Sequence, residues 1–67
     1  MEKLIKIGTV TAASRARRAL LEESVHTRLT KVETTREGCV WGLKVEETEA
    51  LSAARALRRL GIGYELL

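Results

Sequence analysis

Apolar and polar residues alternate at the start of the chain and then change to a helical spacing. Lys3–Val10 has the two-residue period of a β-strand, with Ile5 and Ile7 on one side of it. Thr11 follows in a position that suits an N-cap, because its hydroxyl can accept a hydrogen bond from an early helix amide. Alanine and leucine then recur along one narrow stripe, which predicts a first helix over Ala12–Glu23.

The strand period returns twice in the middle of the chain. Val25–Val32 alternates again and predicts a second strand. Thr34–Gly38 is polar and ends in glycine, so it is predicted to be a loop. Residues 41–46 alternate tryptophan, leucine and valine with glycine, lysine and glutamate, which predicts a third strand.

The last third of the chain predicts a second helix and a fourth strand. Glu47–Leu60 carries acids at its start and Arg58 and Arg59 at its end, which matches the helix dipole. Gly61 suits the C′ position, where a left-handed backbone ends many helices. Ile62–Leu66 then predicts the closing strand.

The two halves of the sequence resemble each other. Residues 19–29 and 56–66 both have the order helix, tight stop, strand. A duplicated βαβ unit is what the ferredoxin-like fold contains. Right-handed crossovers place the strands in the order 4-1-3-2, with both helices on one face. We therefore predict one α+β domain of βαββαβ order over residues 1–67.

Length and composition limit the classes of function. With 67 residues, the chain has too little mass to enclose a deep active site. Its single cysteine forms no internal disulfide, which suits a reducing cytoplasm. No apolar run approaches the roughly 20 residues of a membrane span, and residues 1–6 lack a signal-peptide profile. A cytoplasmic location is expected.

Charge and side-chain chemistry remove further classes. The net charge of +3 is a mild bias, which either favours an acidic partner or serves solubility. RNA recognition on a sheet of this kind uses exposed aromatics. Trp41 and Tyr64 are the only aromatics, and both have the parity of the core side. His26 with one cysteine gives no metal-ligand set, so neither metal nor cofactor is predicted.

Cys39 is the candidate reactive group. It shares the parity of the apolar residues of strand 3, so we expect it at the rim of the core on the helix-covered side. Strand 1 is the antiparallel neighbour, which would bring Thr9 and the free amides of Thr11–Ser14 close to the sulfur. Those amides, with Arg15 and Arg36 nearby, would stabilise a thiolate. The alternative is a cysteine that acts as a small hydrophobe without chemistry.

Two stretches resemble a known family. Leu4–Ala13 (Leu-Ile-Lys-Ile-Gly-Thr-Val-Thr-Ala-Ala) and Gly38–Val45 (Gly-Cys-Val-Trp-Gly-Leu-Lys-Val) are similar to a family of very small bacterial proteins described as selenium or sulfur carriers. The resemblance covers nearly the whole chain. Relatives carry Ser-Cys-Gly where this chain has Gly-Cys-Val, and a glycine closing the first helix where it has Ser24.

The resemblance implies a carrier function. Cys39 would hold a persulfide or selenopersulfide and pass it from a donor enzyme to an acceptor protein. Whether the chain is itself an enzyme stays open. Arg36 would steer the donor, and the residues that would shape the pocket around the sulfur are Thr9, Thr11, Ala12, Ala13, Ser14 and Gly38.

Three glycines suggest a second, different class of function. Gly8, Gly42 and Gly63 share the parity of the uncovered sheet face and fall on three adjacent strands. Their missing side chains would leave a shallow hollow for docking or for a homodimer contact, in a non-catalytic interaction or regulatory module. The alternative is that they permit twist or bulges.

Overall fold

The computed structural model describes every residue, Met1–Leu67, and confirms the predicted fold. A four-stranded antiparallel sheet has the order β2-β3-β1-β4, which is the predicted order 4-1-3-2 in reverse. The domain is ferredoxin-like. The elements are β1 (Glu2–Gly8), α1 (Val10–Glu22), β2 (Thr27–Thr35), β3 (Gly38–Glu46), α2 (Glu47–Arg59) and β4 (Glu65–Leu66).

Both helices cover the same face of the sheet. Ile5 of β1 and Leu43 of β3 are fully buried there against Leu20 of α1 and Leu57 of α2. Neither helix is long and apolar enough to cross a membrane. Alanines form most of the helical contact surface, which lets the helix backbones approach the sheet closely; they are Ala13, Ala16, Ala50, Ala53, Ala54 and Ala56.

The start of α1 differs from the prediction. Thr9, rather than Thr11, is the N-cap residue, and its Oγ1 accepts a hydrogen bond of 3.1 Å from the amide of Ala12. The reason lies in Gly8, whose φ of +144° ends the strand and turns the chain two residues earlier than the alternation suggested. The helix therefore begins at Val10.

The predicted loop over Thr34–Gly38 is wrong. β2 continues to Thr35 and β3 begins at Gly38, so only Arg36 and Glu37 form the turn. Thr35 fixes this turn, because its Oγ1 accepts from the Glu37 amide at 3.2 Å and donates to the Gly38 carbonyl at 3.0 Å. A polar composition was compatible with strand here because this end of the hairpin has no apolar face to bury.

The fourth strand is shorter than predicted. Only Glu65 and Leu66 form strand, paired with Lys6 and Ile5 of β1. Ile62 and Tyr64 lie outside the strand but pack against the core. The apolar alternation therefore predicted correctly that Ile62 and Tyr64 pack against the core. The backbone of residues 62–64 nevertheless pairs with no other strand.

Candidate functional site

Cys39 lies on a two-stranded ribbon that extends beyond the sheet. The β1–β3 ladder ends at the pair Gly8 and Trp41, whereas the β2–β3 ladder continues to the pair Thr35 and Gly38. Cys39 stands in this extension and is exposed. The only strand beside it is β2, so a large partner can approach the sulfur from the other edge.

The sulfur has one polar neighbour. Cys39 pairs with Thr34 across the ribbon, and Thr34 Oγ1 lies 3.9 Å from Cys39 Sγ. Either atom can donate in the neutral form. A thiolate has no proton, so in that form the threonine hydroxyl must be the donor.

The expected position of Cys39 at the rim of the core is wrong. Cys39 lies four positions before Leu43 on β3, past the end of the β1–β3 ladder, and it is exposed to solvent. The structure also makes no hydrogen bond between the α1 amides and the sulfur. Thr9 takes two of those amides, since its Oγ1 accepts from Ala12 and its carbonyl accepts from Ala13 at 2.9 Å.

Two further residues stand on the same side of the ribbon as the thiol. Trp41 is two positions from Cys39 on β3, and Lys31 pairs with it across the ribbon. Lys31 Nζ lies 5.9 Å from the centroid of the Trp41 ring, within cation–π range. Trp41 is half-buried and is not part of the core cluster, in contrast to the core position expected for it.

Sequence reasoning missed Thr34 and Lys31 as neighbours of the site. Their register depends on a bulge, because the ladder shifts between Lys31 and Glu33 and leaves Val32 without a partner. A bulge adds a residue without changing the composition of the strand. The alternation pattern therefore contained no signal for the pairs that flank Cys39.

The predicted site residues fall into two groups. Cys39, the turn residue Arg36 and Gly38, whose φ is +128°, belong to the ribbon. The second group lies at the start of α1. An open surface pocket there is lined by Thr11 and Ser14, among others, and Cys39 is not one of its lining residues. The members of this second group are Thr9, Thr11, Ala12, Ala13 and Ser14. The roles predicted for both groups stay predictions.

The three glycines of the open sheet face do not line one hollow. Gly42 is buried, and a Cβ added to it would meet the Ile5 carbonyl oxygen and lie 2.8 Å from Val32 Cγ2. The bulged Val32 therefore covers Gly42. A Cβ at Gly8 or Gly63 would meet nothing within 4 Å. Docking at this face stays a prediction, but its central position is filled.

Ion pairs cross the open face above β3. Lys6 Nζ of β1 lies 3.0 Å from Glu33 Oε1 of β2, and Arg28 Nη2 lies 3.1 Å from a carboxylate oxygen of Glu2. Each pair joins the two strands that flank β3. The hydrogen bond that Lys6 donates to Glu33, together with the negative charge of Glu33, raises the pKa of Lys6 above the ordinary 10.5. The face is consequently polar, with paired charges.

No group of three or more histidine, cysteine, aspartate or glutamate side chains is placed to hold a metal ion. The fold and the thiol together define the class: a small ferredoxin-like βαββαβ domain that presents one exposed cysteine on its β2–β3 hairpin. No protein-family model, curated protein or solved structure matches the chain significantly. Its family is therefore not identified, and the resemblance to the carriers stays a prediction.

Proposed function

We propose that this domain is a sulfur or selenium carrier that uses Cys39 as the carrying thiol. The observation that supports it most is the exposure of the single cysteine on a ribbon that projects beyond the sheet. A carrier has to present its thiol to two different proteins in turn. A thiol on a projecting hairpin meets this need better than a thiol in a groove.

The transfer needs little from the domain itself. The Cys39 thiolate attacks the outer sulfur of a persulfide on the donor enzyme, and the donor's S–S bond breaks with the donor thiolate as leaving group. Cys39 then holds a persulfide, with no net oxidation or reduction. In the second step an acceptor nucleophile attacks the outer sulfur, and the Cys39 thiolate leaves. With selenium, the outer atom is selenium throughout.

Thr34 and Arg36 would assist at the site. The Thr34 hydroxyl, 3.9 Å from Sγ, can donate to the thiolate both before the first step and after the second. Arg36 is exposed in the adjoining turn, where its charge would steer an acidic donor surface towards the thiol. A reducing compartment such as the cytoplasm would keep Cys39 free between transfers.

Intact-mass spectrometry tests the proposal. The protein and a Cys39→Ser control are incubated with a cysteine desulfurase and cysteine, or with a selenocysteine lyase and selenocysteine. We expect a gain of one sulfur or selenium atom on the wild-type protein alone, reversed by a reductant. Absence of any adduct, together with a folded wild-type protein whose Cys39 resists an alkylating reagent, would contradict the proposal.

The alternative, a non-catalytic docking module on the open sheet face, has less support. Val32 fills the space above Gly42, and the neighbouring charges are already paired within the domain. A docking module would keep its function in the Cys39→Ser variant, whereas a carrier would lose it.

A further inference from the structure

A pocket lies beside the segment that precedes β4, and Cys39 is not among its lining residues. It is an open depression of about 370 Å³ between the end of β1, the first turns of α1 and the segment that precedes β4. We call it the Arg15 pocket. Its lining residues are Ile7, Ala12, Arg15, Ile62 and Gly63.

The pocket results from the short fourth strand. β4 pairs with β1 only at Ile5 and Lys6, so the edge of β1 beyond them has no partner strand. Gly63 places no side chain there, and a Cβ added to it would meet nothing within 4 Å. A longer β4 would have closed this gap.

The lining combines apolar side chains with one free cation. Ile7 and Ile62 are partly buried against the core and present their remaining surface to the pocket. Arg15 is exposed and takes part in none of the side-chain hydrogen bonds or salt bridges of the molecule. The neighbouring Arg17 differs, because its Nε donates to the Thr27 carbonyl at 3.4 Å.

We propose that the Arg15 pocket binds a small carboxylic acid with a branched apolar tail. The tail would cover Ile7 and Ile62, and the carboxylate would pair with the unpartnered guanidinium, whose planar fork matches a carboxylate. Arg15 also lines the open surface pocket at the start of α1 that was described above with Thr11 and Ser14. Arg17 and Arg18 add positive charge to that pocket, and no acidic residue lines it. The volume is at the lower end of the roughly 300–1,000 Å³ typical of ligand pockets, which selects a small molecule.

Titration with a matched ligand series tests this proposal. The probe is 4-methylpentanoate, followed by chemical shifts of the backbone amides. Its uncharged amide, 4-methylpentanamide, tests the charge, and acetate tests the tail. We expect saturable shifts at Ile7, Ile62 and Gly63 with the acid, with a dissociation constant on the order of 1 mM, and much smaller shifts with both controls.

Variants separate the pocket from general charge effects. Arg15→Gln should weaken binding about tenfold, whereas Arg15→Lys should retain most of it. Arg55→Gln is the matched control, since Arg55 is exposed on α2 and the net charge changes equally. Cys39→Ser should bind as the wild type does. The proposal fails if the acid gives no saturable shifts at these amides, if acid and amide bind equally, or if both glutamine variants behave alike.

Discussion

The two βαβ halves of this domain stop their helices alike and differ in the strand that follows. In the first half the Val25 amide donates to the Leu20 carbonyl at 2.8 Å, and in the second the Ile62 amide donates to the Leu57 carbonyl at 2.9 Å. Both bonds close the same C-terminal helix motif. The first half then forms the nine-residue β2, whereas the second forms only the two-residue β4.

Both candidate sites arise where the halves differ. The long β2 carries β3 past the end of β1, which exposes Cys39 on the ribbon. The short β4 leaves part of β1 uncovered, which opens the Arg15 pocket. The parts that the halves share, the helix stops and the buried leucines, build the core instead. The repeated elements therefore stabilise the domain, and the strands of unequal length, β2 and β4, create the candidate sites.

The largest expected effect concerns two glycines of the second half, one in β3 and one just before β4. Gly42→Ala of β3 should destabilise the domain by about 3 kcal/mol, because the new Cβ would collide with the Ile5 carbonyl and with Val32. Gly63→Ala, just before β4, should change stability by less than about 0.5 kcal/mol, since the space there is open. Urea unfolding followed by circular dichroism measures both. Equal losses of stability in the two variants would contradict the expectation that the backbone is closely packed at Gly42 and open at Gly63.

A smaller effect is expected where the two helix stops differ in sequence. Ser24 and Gly61 are the equivalent residues, and both are left-handed, with φ of +64° and +74°. A residue with a Cβ costs about 1 kcal/mol more than glycine in this conformation. Ser24→Gly should therefore stabilise the domain by about 1 kcal/mol, and Gly61→Ser should destabilise it by a similar amount. Thermal unfolding measures both variants. If the two helix ends are equivalent, the Tm should rise in Ser24→Gly and fall in Gly61→Ser.

The repeated parts were also the parts that the sequence could predict. Alternation and helical spacing identified all six elements, their order and the buried positions such as Ile5 and Leu43, because burial imposes a period on the sequence. The helix start was missed because Thr9 and Thr11 both suit a cap. The backbone turn at Gly8 decides between them.

The site was less predictable than the fold. The exposure of Cys39 depends on how far β2 and β3 extend beyond the end of β1. Strand length is weakly encoded where no apolar face is buried, as in Thr34 and Thr35. The bulge at Val32 decides which residues flank the thiol and which side chain covers Gly42, and it changes register without a change in composition.

The smallest expected effect concerns an ion pair within the first half, which joins β1 to β2 across β3 of the second half. Lys6 of the first strand pairs with Glu33 of the second, and this contact raises the pKa of Lys6 above 10.5. A raised lysine pKa means that the charged form stabilises the folded state. This stabilisation is fully present below pH 10.5, and it is lost as the pH rises through the pKa of the folded state. Lys6→Met should therefore be less stable than the wild type at pH 7 to 9, and the difference should shrink above pH 10.5. Lys3→Met on the same strand is the matched control, because Lys3 is exposed and forms no ion pair, and urea unfolding compares the two variants over that pH range. If both variants follow the same pH dependence, the Lys6–Glu33 pair contributes nothing measurable, and β3 holds β1 and β2 together without it.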